Sequence, residues 1–168
     1  ACACKALKLK SIAVVRGAKT TISSHTLNEC IENGMLLKFV SRQQFSEKDN
    51  ADFIDELKKE FGNCLIIPEG GYAPAGAKGA ALIIDLIQYN GYTHICTASG
   101  TATTTAGLLL AAKPEQIVIS LPVLKGMTDN KTRIKELTEN TSDLKNLLIL
   151  DDYHFGGYAK KSDELISF

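Results

Sequence analysis

The stretch that decides the fold is Cys96-Thr97-Ala98-Ser99-Gly100-Thr101-Ala102-Thr103-Thr104-Thr105-Ala106-Gly107. The residues just before its turn, 92–96, are apolar and β-prone and predict a strand, while residues 108–112 favour a helix. The turn between them consists of Ser, Gly, Thr and Ala, and small side chains let a ligand approach the backbone. The first amides of a helix have no intrahelical acceptor and carry partial positive charge. Residues 99–104, here named the cup, are therefore predicted to bind phosphate.

A purely structural alternative remains open for the cup. A Ser- and Gly-containing turn also occurs wherever an α/β protein needs a helix N-cap. The cup lacks the Gly-Lys-Ser/Thr ending of a Walker loop and the spacing of a Gly-x-Gly-x-x-Gly dinucleotide turn. The pattern therefore predicts an anion site without specifying the ligand.

The composition excludes several function classes. The 168 residues are 45% hydrophobic and 23% charged, as in ordinary globular proteins. The formal net charge is zero, which predicts no nucleic-acid partner. No apolar run approaches the roughly 20 residues of a membrane helix, so no membrane partner is expected.

The five cysteines lack the paired spacing of zinc sites or disulfide frameworks. This pattern predicts reduced thiols, a cytoplasmic location and no metal site. Cys64 and Cys96 lie in apolar, strand-like runs and are predicted to be buried free thiols. His94, in the same run as Cys96, is predicted to be a hydrogen-bonded core residue.

Short apolar runs alternate with helical patterns along the chain. Most of the runs are unbroken rather than alternating, which is typical of parallel sheets covered by helices on both faces. The predicted strands are 11–15, 36–40, 64–67, 92–96, 116–123 and 147–150. Among the predicted helices, one is capped by Thr26 with Glu29 in a capping-box pattern, and a long one runs from Ala77 to Gln88.

Four unusual loops each follow a predicted strand. They are Glu69–Tyr72, the cup, Pro122–Lys125 and Tyr153–Tyr158. Ligands of open α/β sheets bind at the carboxyl ends of the strands. We therefore expect these loops to line one rim.

Three motifs carry a resemblance to a known family. They are Ile67-Pro68-Glu69-Gly70-Gly71, the stretch Ala98–Gly107, and Leu150-Asp151-Asp152 followed by Gly157-Tyr158. Their order and spacing resemble the pyridoxal-phosphate-dependent family of D-cysteine desulfhydrase and 1-aminocyclopropane-1-carboxylate deaminase, within the tryptophan-synthase-β-like group. The resemblance covers nearly all of the chain. It implies a two-domain α/β enzyme of fold type II, with residues 1–62 in the small domain and 63–168 in the large cofactor-binding domain.

The resemblance also implies site residues. Tyr158 matches an active-site tyrosine and is the implied catalytic residue. Thr103 stands where relatives often carry Gly, a change that keeps the backbone amide. The residues implied to hold the cofactor phosphate are Gly100, Thr101, Ala102, Thr103 and Thr104, and those bordering the substrate pocket are Glu69, Gly70 and Gly71.

The activity implied by the resemblance is a pyridoxal-phosphate-dependent deaminase or desulfhydrase, acting as a homodimer. It would convert a small amino acid, of the D-cysteine or 1-aminocyclopropane-1-carboxylate type, to a 2-keto acid and ammonia. The family's Gly-Asn-Lys motif, which holds the Schiff-base lysine, and its Ser-Asn-His motif are both missing from this sequence. The chain is therefore expected to be a central fragment, incomplete at both ends. Two alternatives remain: a non-catalytic α/β module that binds a phosphate or nucleotide, and a different pyridoxal-phosphate lyase or dehydratase.

Overall fold

The computed structural model describes residues 1–19, 24–87, 91–157 and 160–167. The chain divides into two compact units, Ala1–Ile66 and Ile67–Phe168. Each unit has its own hydrophobic core and its own parallel sheet. This arrangement confirms the predicted α/β class.

The first unit is built on a two-stranded parallel sheet. β1 pairs with β2 in a register that places Ile12 opposite Leu36. Val40, Phe53 and Leu57 form the buried core of the unit. Its elements are α1 (Cys2–Ala6), β1 (Ile12–Arg16), α2 (His25–Glu32), β2 (Leu36–Val40), α3 (Arg42–Ser46) and α4 (Ala51–Phe61).

Two helix starts in the first unit differ from the prediction. α2 is capped by Ser24, whose hydroxyl accepts a hydrogen bond from the Leu27 amide, so the predicted cap at Thr26 was wrong. A complete capping box is present at Ser41 and Gln44, where it opens the unpredicted helix α3. Ser and Gln three residues apart are themselves a helix-start signal, so the sequence did contain the information for α3.

The second unit is built on three parallel strands in the order β3-β4-β5. β3 pairs with β4 from His94 opposite Ile117 to Ser99 opposite Pro122. Short 3-10 turns connect several of the elements. The helices and strands are α5 (Pro74–Ala81), β3 (His94–Ser99), α6 (Thr103–Ala111), β4 (Ile117–Pro122), α7 (Asn130–Leu137), β5 (Leu147–Ile149) and α8 (Asp163–Ser167).

Two predicted elements of this part of the chain differ in the structure. Residues 64–67 form no strand, because no strand in the described ranges pairs with them. Leu65 and Ile67 are 87% and 72% exposed. The helix predicted to reach Gln88 ends at Ala81. Beyond that point the chain tightens into 3-10 hydrogen bonds, and Gln88 itself lies outside the described residues.

β3 is an edge strand of this sheet, and its side chains alternate between exposed and covered positions. Successive residues of a strand point to opposite faces. Ser99 is consequently buried, whereas Cys96 and His94 are exposed, so the predicted burial of those two residues was wrong. His94 does have a hydrogen-bonding partner, since its Nδ1 lies 2.8 Å from the Thr93 hydroxyl. Cys64, also predicted to be buried, is half-buried.

The core of the second unit depends on a close approach between α5 and α6. Ala77 and Ala106 are fully buried there, together with Val118 and Ile134 from β4 and α7. A Cβ on Gly107 would lie 2.6 Å from Ala80 Cβ. The two helix backbones are therefore closer than any side chain at position 107 allows. No helix in the described ranges is long and apolar enough to cross a bilayer.

Candidate anion-binding site

The cup connects the end of β3 to the start of α6. Ala102 is the N-cap residue of α6 and has a left-handed backbone conformation, with φ 68° and ψ −3°. Its methyl side chain is fully buried and accepts no hydrogen bond. The amides of the first helical turn have no intrahelical acceptor, so these N–H groups and the positive end of the helix dipole are available to an anion.

The surface in front of these amides is concave. A concavity of about 40 Å³ is lined only by residues 98–105. A concavity of this size admits water-sized groups such as the oxygens of a phosphate. A phosphate ester has three terminal oxygens. Thr104 is exposed at the mouth, while Thr103 is buried beneath it.

A predicted substrate-side residue, Gly70, contacts the cup. The Thr101 hydroxyl lies 3.4 Å from the Gly70 carbonyl oxygen, to which it donates, and 3.1 Å from the Thr103 hydroxyl. Gly70 has φ 66°, and a Cβ there would lie 2.5 Å from Thr101 Cγ2. Only glycine fits this contact. The structure thus brings the 3-10 turn Glu69–Gly71 against the predicted phosphate site.

The two other predicted rim loops lie on the same side of the sheet. The Val123 amide donates to the Ser99 carbonyl at 3.0 Å, which holds the loop after β4 beside the cup. A Cβ on Gly157 would lie 3.2 Å from Lys125 Cβ, so the loop after β5 meets the loop after β4. Tyr158, the implied catalytic residue, lies outside the described residues, and its role stays a prediction.

Buried polar side chains lie at the base of the cup. The Ser99 hydroxyl is 3.5 Å from the Asn130 carboxamide oxygen, and the hydroxyls of Thr105 and Ser120 are 3.4 Å apart. All four side chains are buried. Asn130 Nδ2 is the one buried side-chain nitrogen or oxygen in the described ranges that has no hydrogen-bonding partner. The sequence gives no signal for Asn130 as a site residue, because an Asn at a helix start is ordinarily interpreted as a cap.

Tyr72, directly after the Glu69–Gly71 turn, is held against α7. Its hydroxyl donates to the Glu136 carboxylate, and the Arg133 guanidinium lies 5.2 Å from the centre of its ring. Burial first, and then the hydrogen bond to Glu136, raise the pKa of Tyr72 to about 12. Ionising this tyrosine would leave two anions in contact.

This pair gives the first testable prediction, which concerns alkaline stability. Because the pKa of Tyr72 is raised from 10.0 to about 12 in the folded protein, its contribution to stability is fully present below pH 10 and is lost as the pH rises towards 12. Tyr72→Phe should lower the unfolding free energy by ~1 kcal/mol at pH 8. The difference from the unchanged protein should shrink between pH 10 and 12, as measured by urea unfolding. Tyr153→Phe, at a 53% exposed position, is the control and should follow the unchanged protein throughout. A constant difference would contradict the prediction.

A larger concavity, of about 290 Å³, lies at the amino end of β3. Its walls include Ile84, Ile87 and Ile95. The carboxamide of Gln116, which also lines it, is already engaged, donating to the Tyr92 carbonyl and accepting from the Lys113 amide. Ligands of open α/β sheets bind at the carboxyl ends of strands, so the smaller cup is the better candidate. In the described part of the chain, no group of three or more His, Cys, Asp or Glu residues is placed to hold a metal ion.

Known proteins resemble this chain in sequence and in fold. No protein-family model matches the chain. A protein of Pyrococcus abyssi (strain GE5 / Orsay), named "Putative 1-aminocyclopropane-1-carboxylate deaminase", is 26% identical over 175 residues, which covers 95% of this chain and 53% of that protein. The crystal structure of an ACC deaminase homologue superposes with a TM-score of 0.72 at 24% identity, covering 94% of this chain and 52% of that one.

Two further solved structures share the fold at lower identity. Serine racemase from Dictyostelium discoideum has a TM-score of 0.51 at 17% identity, over 73% of this chain and 39% of that one. O-ureido-L-serine synthase has a TM-score of 0.54 at 19% identity, over 90% of this chain and 52% of that one. The chain thus spans about half the length of the Pyrococcus protein and of the ACC deaminase homologue. It has the α/β fold of the fold-type II pyridoxal-phosphate enzymes, and the resemblance to the deaminase family indicated by its motifs is confirmed.

Proposed function

We propose that the protein containing this chain is a pyridoxal-phosphate-dependent deaminase or desulfhydrase. The observation that carries the proposal is the open N-terminus of α6 at the carboxyl end of β3, in a chain with this fold. The substrate is a small amino acid, of the 1-aminocyclopropane-1-carboxylate or D-cysteine type, and the products are a 2-keto acid and ammonia. The similarity to a protein named as a deaminase supports this substrate class.

The residues of the cup fit the phosphate of this cofactor. The concavity is small enough to suit a phosphate group, and the methyl side chain of the N-cap residue Ala102 cannot compete with it for the helix amides. We assign the phosphate largely to the backbone amides of residues 100–104, and the substrate border to Glu69, Gly70 and Gly71. When bound, the cofactor supplies an electron sink for negative charge at the α-carbon of an amino acid. Tyr158 is proposed to hold or move a proton there.

Two further assignments complete the proposal. Residues 1–62 belong to the small domain and 63–168 to the large cofactor domain of a homodimer. The Schiff-base lysine lies outside this chain, since the lysine motif of the family is missing from it.

A binding comparison tests the cofactor assignment. The full-length protein should bind pyridoxal 5′-phosphate at least about 100-fold more tightly than pyridoxal, because the phosphate supplies charge-assisted hydrogen bonds worth about 1.5–3 kcal/mol each. Inorganic phosphate should compete with the cofactor. Fluorescence titration measures both. Equal affinity for pyridoxal, or binding of nucleotides in place of the cofactor, would contradict the assignment and favour the non-catalytic module.

The substrate follows from product analysis of the cofactor-loaded protein. Ammonia and a 2-keto acid should appear with 1-aminocyclopropane-1-carboxylate or with D-cysteine, and sulfide only with D-cysteine. If a protein that binds the cofactor releases no ammonia and no 2-keto acid from either compound, a different pyridoxal-phosphate lyase or dehydratase is favoured.

A further inference from the structure

We infer that Asn130, a residue outside the predicted site, positions the cup for anion binding. The inference rests on the proposed function, because it concerns the same phosphate site. Asn130 is the first residue of α7 and is 2% exposed. Its carboxamide oxygen faces the Ser99 hydroxyl, and Ser99 is the last residue of β3 before the cup.

The contact lies at the end of the ladder between β3 and β4, where Ser99 is opposite Pro122. Beyond that pair the Ser99 backbone is held by the Val123 amide at 3.0 Å. The Asn130 carboxamide is the partner of the Ser99 side chain. Together these contacts fix the residue from which the cup begins.

The burial of Asn130 is also unfavourable in free energy. Its Nδ2 has no partner, and a buried donor without an acceptor destabilises the folded protein. Exchanging the two carboxamide atoms would place the nitrogen against the Ser99 hydroxyl and the oxygen at the unpartnered position, so either orientation has one unpaired atom. A purely structural contact would be better served by a smaller hydroxyl or an apolar side chain. A polar group retained at such a cost beside a binding loop points to a role in that loop.

The inference predicts that binding and stability respond differently to Asn130→Ala. The affinity of the full-length protein for pyridoxal 5′-phosphate and for inorganic phosphate should fall about tenfold, the lower end of what partners that orient ligating groups contribute at metal sites. The thermal midpoint should change little, because removal of the unpaired nitrogen offsets the loss of the acceptor for the buried Ser99 hydroxyl. Calorimetric titration with inorganic phosphate and a thermal melt measure the two effects.

Two additional variants separate positioning from general packing. Thr138→Val removes a buried hydroxyl from the end of the same helix, where it donates to the Ile134 carbonyl, and should leave phosphate affinity unchanged. Ser99→Ala should lose affinity as Asn130→Ala does, and the double variant should lose no more than either single one.

The possible results are distinct. A drop in melting temperature with unchanged phosphate affinity in Asn130→Ala would overturn the positioning role and leave the proposed function standing. Additive losses in the double variant would overturn the connection through Ser99. Failure of the unchanged protein to bind either phosphate compound would overturn both the inference and the proposed function.

Discussion

Glutamate at position 104 should abolish phosphate binding without unfolding the protein. Thr104 is the second residue of α6 and is exposed at the mouth of the concavity. A carboxylate there would lie against the first-turn amides and repel the phosphate, at about 4 kcal/mol per pair of unit charges 4 Å apart near a protein surface. The affinity for pyridoxal 5′-phosphate should fall at least about 100-fold. Stability should be unchanged or rise by about 0.3–1 kcal/mol, because an acidic residue in the first turn favours the helix.

The matched control is Thr104→Gln, which has the length of glutamate without its charge. It should retain phosphate affinity within about threefold, since polar surface changes of this kind are worth little. Titration of both variants with pyridoxal 5′-phosphate, alongside chemical unfolding, makes the comparison. If Thr104→Glu binds the cofactor as tightly as the unchanged protein, the phosphate does not occupy the cup.

The largest loss of stability is expected from Gly107→Ala. The added methyl group would meet Ala80 Cβ at 2.6 Å and the Ala81 backbone nitrogen at 2.7 Å. Neither atom is the end of a flexible side chain, so α5 and α6 must separate. Overpacking of this kind typically costs 1–3 kcal/mol and here should reach about 3 kcal/mol. The midpoint of thermal unfolding should fall by roughly 10 °C.

Gly79→Ala is the control, because it adds the same methyl group to the other helix of this pair. Gly79 lies within α5, and a Cβ there meets nothing within 4 Å. The substitution should therefore raise stability by about 0.5–1 kcal/mol through helix propensity. Thermal melts of the two variants should shift in opposite directions. If Gly79→Ala lowers stability as much as Gly107→Ala does, the close contact at position 107 is not the cause of the loss.

The sequence predicts the elements of this chain best where local preference and tertiary packing agree. The strand–cup–helix stretch around Ser99 forms as expected because an apolar run, a turn of small residues and a strong helix former follow one another directly. The contact between Gly70 and the cup was expected on the premise that a strand precedes Glu69, and the contact is present although residues 64–67 form no strand. These local patterns predicted the α/β fold, which is confirmed, and a phosphate-binding role for the cup, which stays a prediction.

The errors occur where pairing or solvent exposure decides the outcome. Residues 64–67 have the composition of a strand, but a strand needs a neighbour, and none is described for them. Cys96 is apolar in context yet exposed, since it lies on the opposite face of β3 from the buried Ser99. Asn130 could not be connected to Ser99 from sequence, because 31 residues separate them and only the packing of α7 brings them together.

The cup has a consequence for how the sequence of such a protein can diverge. In the function we propose, its recognition groups are mainly backbone amides, which every residue except proline supplies. Substitutions at exposed Thr104 that add no negative charge can therefore accumulate while the anion site persists. Gly70 and Gly107 lack that freedom, because any side chain there would collide with Thr101 or with α5. Distant relatives of this chain should accordingly be identified by the glycine positions that exclude side chains, more than by the exposed residues of the cup.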